Sequence, residues 1–168
     1  MTIAASALAI RRATRRDVPT ILRLVRGLAE YERLAHQLAA TAARLRRHGF
    51  GPRRYFETLI CRRGGSPIGF ALYYFTYSTF LGRPTLYLED LFVRPEERGH
   101  GAGRALLREL AKIARRRGCG RMEWTVLDWN KNSIRFYEKL GARLRKEWIL
   151  TRLTGAPLRR LAGRASGR

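Results

Sequence analysis

The chain predicts a mixed α/β domain, on three observations. It has 168 residues, 45% of them apolar, enough for one domain with its own hydrophobic core. Strand and helix signals alternate, with no internal repeat and no long linker. Three β-rich segments in succession lead into a glycine turn and then a strongly amphipathic helix. We therefore expect a central, mostly antiparallel twisted sheet flanked by helices, with one domain over residues 1–155 and a basic, mobile tail over 156–168.

Leu8–Thr14 reads as an edge strand. Asp17 caps a helix with Pro19 in its first turn, and Ile21, Leu22, Val25, Leu28 and Ala29 give it an apolar face. A second short helix runs from Thr41 to Gly49. Tyr55–Cys61 and Ile68–Tyr77, rich in β-branched and aromatic residues and joined by Gly64-Gly65-Ser66-Pro67, form a hairpin. Gly82-Arg83-Pro84 then turns into Leu86–Val93, the third strand of a meander. Leu106, Leu107, Leu110, Ile113 and Ala114 make the buried stripe of a helix ending at Gly118. Arg121–Leu127 reads as a strand, Ser133–Leu140 as a short helix stopped by Gly141, and Trp148–Leu153 as a last strand.

The net charge of +22 favours polyanions. Its cations are nonetheless spread from Arg11 to Arg168, and only four of the 35 are lysine. That dispersion fits a general preference for arginine on solvated faces, leaving nucleic acid as a non-specific electrostatic partner. Cys61 and Cys119 make neither a disulfide framework nor a ligand cluster, and no metal is expected. No segment approaches the ~20 apolar residues of a membrane span. The apolar run Ile3–Ile10 has its cations on the wrong side for a signal core. A cytoplasmic protein is expected.

The most informative segment is Leu86–Val93, followed by Arg98-Gly99-His100-Gly101-Ala102-Gly103 and a helix from Arg104. Glycines there let the backbone curl and turn its N–H groups toward a ligand. Together with the helix dipole they make an anion site suited to a pyrophosphate, with Arg98 and Arg104 adding charge-assisted contacts. A P-loop would end in Gly-Lys-Ser/Thr, whereas Arg104-Ala105 follows Gly103. A dinucleotide fingerprint would be spaced Gly-x-Gly-x-x-Gly without a preceding meander.

Arg98-x-x-Gly101-x-Gly103 after a meander resembles the acetyl-coenzyme A loop of the GNAT acetyltransferase superfamily. Trp129-Asn130-x-x-Ser133-Ile134-x-Phe136-Tyr137, with Gly141-Ala142 beyond, resembles its second half-site. Leu28-Ala-Glu-Tyr-Glu32, Gly49-Phe-Gly51, Phe70–Tyr77 and Tyr87-Leu-Glu-Asp90 are similar to the diamine (spermidine/spermine) acetyltransferases and their thialysine-acetylating relatives. The likeness covers about residues 8–150.

It implies a GNAT fold and acetyl transfer from acetyl-coenzyme A to a primary amine by direct attack through a tetrahedral intermediate. An alkylamine, with a pKa near ~10.4, must first lose a proton. The resemblance gives Glu89 that base role; the plain alternative is a strand-end structural carboxylate. It implies backbone N–H groups at Leu91, Phe92 and Val93 for the oxyanion and the coenzyme. Tyr137 is implied as the acid that protonates the leaving thiolate, with Phe136 filling the core beside it. Asn130 and Ser133 resemble coenzyme contacts, although Asn130 also suits a helix N-cap. Tyr31, Glu32, Asp90, Glu123 and Trp124 align with amine-pocket positions, and His100 is a solvated spacer within the coenzyme loop.

The substrate stays open between a diamine or polyamine and a lysine-like amino acid such as thialysine. Ser78-Thr79-Phe80 stands where polyamine enzymes tend to be acidic, and Val126-Leu-Asp-Trp-Asn130 looks closer to the thialysine relatives. The resemblance further implies a homodimer, involving Trp148–Leu153. Two other readings are a basic nucleic-acid module on the same fold and a protein lysine or N-terminal acetyltransferase. The Tyr31-Glu32 segment, which resembles a lid over a small pocket, speaks against the latter.

Overall fold

The computed structural model describes residues 7–163, so the first half of the Ile3–Ile10 run and the end of the basic tail lie outside the described residues. It divides into two compact units, Met1–Thr125 and Val126–Arg168.

The first unit is built on five strands in sequential order: β1 (Leu8–Arg12), β2 (Glu57–Arg63), β3 (Ser66–Ser78), β4 (Arg83–Val93) and β5 (Arg121–Glu123). β1 to β4 are antiparallel neighbours, and β5 joins β4 in parallel. The turn between β2 and β3 is only Gly64-Gly65, with φ of 54° and 80°, left-handed values that suit a two-residue hairpin. Ser66 and Pro67, expected in the turn, already belong to β3. Pro67 is accommodated beside the register shift at Cys61/Arg62, as a proline in an inner strand must be.

Helices α1 (Val18–Tyr31) and α2 (Ala42–Phe50) cover one face of this sheet. Val18, Ile21 and Leu45 pack on Ile60 of β2, and Leu24 packs with Phe70, Leu72 and Phe92 of β3 and β4. Leu59, Cys61, Ala71 and Tyr73, on the alternate positions of β2 and β3, are buried too. Helix α3 (Ala102–Arg116), which touches all five strands, covers that other face with Leu106, Leu107, Leu110 and Ile113.

Asp17 precedes α1 as expected, but its carboxylate turns back to Thr14. The Thr14 N–H donates to it at 2.7 Å and the Thr14 hydroxyl at 2.9 Å, while Arg11 donates at 2.6 and 2.8 Å. Arg11 first, and Thr14 after it, hold this carboxyl well below the usual carboxylate range. Its stabilising effect is therefore complete above the unfolded value near pH ~4 and is lost as pH falls through the lower folded value. Replacing Asp17 by Ala is expected to cost about 2 kcal/mol, a fall in Tm of roughly 4–8 °C in thermal melts at pH 7.

In the second unit, α4 spans Lys131–Lys139 and α5 spans Gly155–Leu161. The expected basic tail thus opens with helix. Trp148–Leu153, read as a last strand, is not one: it forms no ladder, and Trp148, Ile149 and Leu150 are 74%, 85% and 69% exposed. A strand exists only by pairing, and none of the described strands takes this segment as a neighbour. No helix among the described residues is long and apolar enough to cross a membrane.

Candidate active site

The site begins with a defect in β4. Leu72 faces Asp90 and Tyr73 faces Leu88, which leaves Glu89 as an extra residue. Such a bulge bends its strand and re-aims the side chains around it. The Tyr74 hydroxyl donates to Glu89 Oε2 at 3.2 Å, and the Tyr74 and Tyr87 rings lie 5.2 Å apart. Burial, and then the Glu89 charge, push the Tyr74 phenol up to about 12, so it remains a donor throughout the physiological range.

Asp90 follows the bulge and is half-buried. Burial first, then the charges of Glu89 and Glu32, raise its carboxyl to about 7. Glu32, the residue that ends α1, is itself raised by burial. A cation arriving here finds an acidic group that ionises within the working range, while an alkylamine stays protonated throughout. The KM of a cationic amine is thus expected to fall about tenfold as pH rises from ~6 to ~8, following ionisation of Asp90. Asp90→Asn should flatten that profile, as measured by steady-state kinetics across the pH range.

At the far end of β4 the chain enters the glycine loop. Gly99 and Gly101 have φ of 80° and 84°, and nothing lies within 4 Å of where a Cβ would stand on either. Gly101 is the N-cap of α3, so the helix begins at Ala102, two residues earlier than expected, and Gly103 lies in its first turn. A left-handed glycine at the N-cap turns the chain into the helix at once, leaving first-turn N–H groups without helical partners. Arg104 and His100 are exposed. Arg98 is half-buried. Its guanidinium lies 4.1 Å over the Tyr31 ring, and its Nε donates to the Val93 carbonyl at 2.9 Å.

β5 stops at Glu123, opposite Tyr87, two residues before the bulge, and not at the expected Leu127. Beyond the bulge β4 bends, so from Leu88 to Val93 no described strand pairs with it on that side. Leu91, Phe92 and Val93 therefore lie along a strand margin that leads to the glycine loop. Glu123 is ion-paired with Arg121 at 2.9 Å, and half-buried Trp124 follows it.

The first unit thus holds Tyr31, Glu32, Glu89, Asp90, Glu123, Trp124 and residues 91–104, and brings Glu32, Glu89 and Asp90 within electrostatic reach. The second unit carries the other three. The Asn130 side chain accepts from the Ser133 N–H at 3.2 Å and caps α4. Tyr137 on α4 is buried and Phe136 half-exposed, the reverse of the expected division of labour between them. Sequence reasoning did not single out Tyr74 or Tyr87 as site residues, because the pairing that sets Tyr74 against Glu89 depends on the bulge.

A four-stranded antiparallel sheet with a parallel fifth strand opens through a glycine turn into a helix, and the sequence relatives of this chain are N-acetyltransferases. The chain belongs to the acetyltransferase (GNAT) family, whose model matches residues 22–142; that family takes acetyl-coenzyme A as its cosubstrate. It is 39% identical to the thialysine N-epsilon-acetyltransferase of Mus musculus, over 92% of this chain and 97% of that one. It is 34% identical to the L-ornithine N5-acetyltransferase of Arabidopsis thaliana, over 89% and 85% respectively. Among solved structures, an integron cassette protein from the mobile metagenome of V. cholerae superposes with a TM-score of 0.79 at 26% identity, over 93% of this chain and 98% of that one.

Proposed function

We propose that this enzyme transfers the acetyl group of acetyl-coenzyme A to a primary amine of a small cationic molecule, an amino acid of the lysine or ornithine type or a diamine. The observation that carries the reading is the bulge at Glu89, which sets two consecutive carboxylates beside Glu32, on the strand that leads into the glycine loop. The names of the relatives, thialysine and L-ornithine acetyltransferases, favour the amino acid. A chain of net charge +22 also repels a polyamine more than it repels a zwitterionic amino acid.

The donor's pyrophosphate suits the N–H groups at Gly99–Gly103 and the positive end of α3, where both left-handed glycines leave open space. Asp90 and Glu32 draw the ammonium in, and Glu89 accepts its proton, directly or through one water. Backbone N–H groups along Leu91–Val93 hold the negative charge that develops on the acetyl oxygen. Tyr137 returns a proton to the leaving sulfur, and Asn130 and Ser133 contact the coenzyme. We assign Tyr31 and Trp124, whose aromatic faces suit a cation, and the Glu123 carboxylate to the remaining wall on the amine side.

We further assign the protein to the cytoplasm, in keeping with its two free cysteines, and read it as a homodimer. Three consecutive exposed apolar residues, Trp148 to Leu150, suit burial against a second copy.

The test is thiol release from acetyl-coenzyme A with lysine, thialysine, ornithine, putrescine, spermidine, spermine and a lysine peptide in parallel. Turnover with a small amine and none with the peptide is the expected result. Peptide acetylation alone would overturn the small-molecule reading, and failure to bind acetyl-coenzyme A would overturn the whole assignment.

A further inference from the structure

We infer that Arg98 is a positioning residue that couples the glycine loop to the amine side of the site by bracing Tyr31. The inference rests on the acetyltransferase reading above. Arg98 makes three attachments. Its guanidinium stacks 4.1 Å over the Tyr31 ring at the end of α1, lies 5.7 Å from the Phe92 ring on β4, and donates through Nε to the Val93 carbonyl at 2.9 Å. A planar guanidinium stacks and donates at once, which a lysine ammonium on its flexible stem does not reproduce.

The element so held needs a brace. Helix α1 closes on Arg33, the one non-glycine residue with positive φ (61°) among the described residues. The Arg33 N–H donates to Glu30 O at 3.1 Å, and the Leu34 N–H to Ala29 O at 2.8 Å. This is the usual glycine-terminated helix ending, here made with an arginine in strained backbone. Tyr31 and Glu32 are the two residues just before it, and Glu32 is one of the charges acting on Asp90.

Arg98 also adjoins Gly99, whose left-handed backbone starts the loop. A ligand that repositions the loop therefore shifts Arg98, then Tyr31, then the Glu32 carboxylate. Acetyl-donor binding is in this way transmitted to the amine subsite through the Arg98 side chain.

The test uses Arg98→Lys, Tyr31→Leu and the double variant of the full chain, with acetyl-coenzyme A affinity read by calorimetry and amine kinetics read with the best wild-type substrate. Arg98→Lys is expected to raise amine KM about tenfold, the loss of one partly desolvated cation–π contact. Acetyl-coenzyme A affinity should stay within about twofold. The double variant should be no worse in amine KM than Tyr31→Leu alone, since both remove one shared contact. A tenfold loss of acetyl-coenzyme A affinity with unchanged amine KM would overturn the inference and make Arg98 a phosphate ligand. Losses that multiply in the double variant would overturn it too. A wild-type chain that binds no acetyl-coenzyme A would instead remove the acetyltransferase reading itself, a result legible before any variant is made.

Discussion

Tyr137→Phe is expected to lower kcat by about 10²- to 10³-fold while acetyl-coenzyme A affinity stays within a factor of about two. The thiolate leaves poorly without a proton, and the phenol is the group proposed to supply it. The substitution removes one oxygen from a buried side chain and conserves the ring, so packing in α4 is retained. Stopped-flow thiol release against a titration of the donor separates the two effects. Unchanged turnover would take Tyr137 out of the acid role and leave it as the buried aromatic of that helix.

Glu89→Gln is expected to lower kcat/KM for the amine by about 10²- to 10³-fold. Glutamine still accepts the Tyr74 hydrogen bond, which spans 3.2 Å in the structure, so the bulge keeps its local support. What disappears is the charge and the capacity to take a proton. The residual rate should then climb about tenfold per pH unit toward the amine's own pKa near ~10.4, because only the free base reacts. If Glu89 serves only as an acceptor for Tyr74, the glutamine variant will turn over like the wild type across the same pH range.

Much of the fold was legible in the chain because its signals are local. The apolar stripe of α3, the paired glycines at 64 and 65 and the Thr41 cap of α2 each depend on neighbours a few residues away. Thr41 does accept from the Arg44 N–H. The glycine loop was legible for the same reason, since Gly99 and Gly101 are read directly as left-handed corners. What the chain hid depends on partners supplied by other elements of the fold. Asp17 looked like a cap of α1 because Arg11, its strongest partner, sits on β1. Trp148–Leu153 has the composition of a strand, and composition carries no information about whether an edge is free to receive it. Arg98 reads as a phosphate contact from its place in the motif, and the approach of Tyr31 from α1 to its guanidinium is visible only in the fold.

The bulge at Glu89 solves a problem of counting. Along a regular strand, odd and even residues look in opposite directions, so two adjacent acids would be divided between solvent and core. A single skipped beat in the ladder with β3, at Glu89, breaks that alternation. One of them remains exposed and hydrogen-bonded to a phenol, and the other is half-buried with an elevated pKa. Two carboxyl groups separated by one peptide unit thereby meet different surroundings, one in solvent and one half-buried, and strand phase rather than residue type sets that difference.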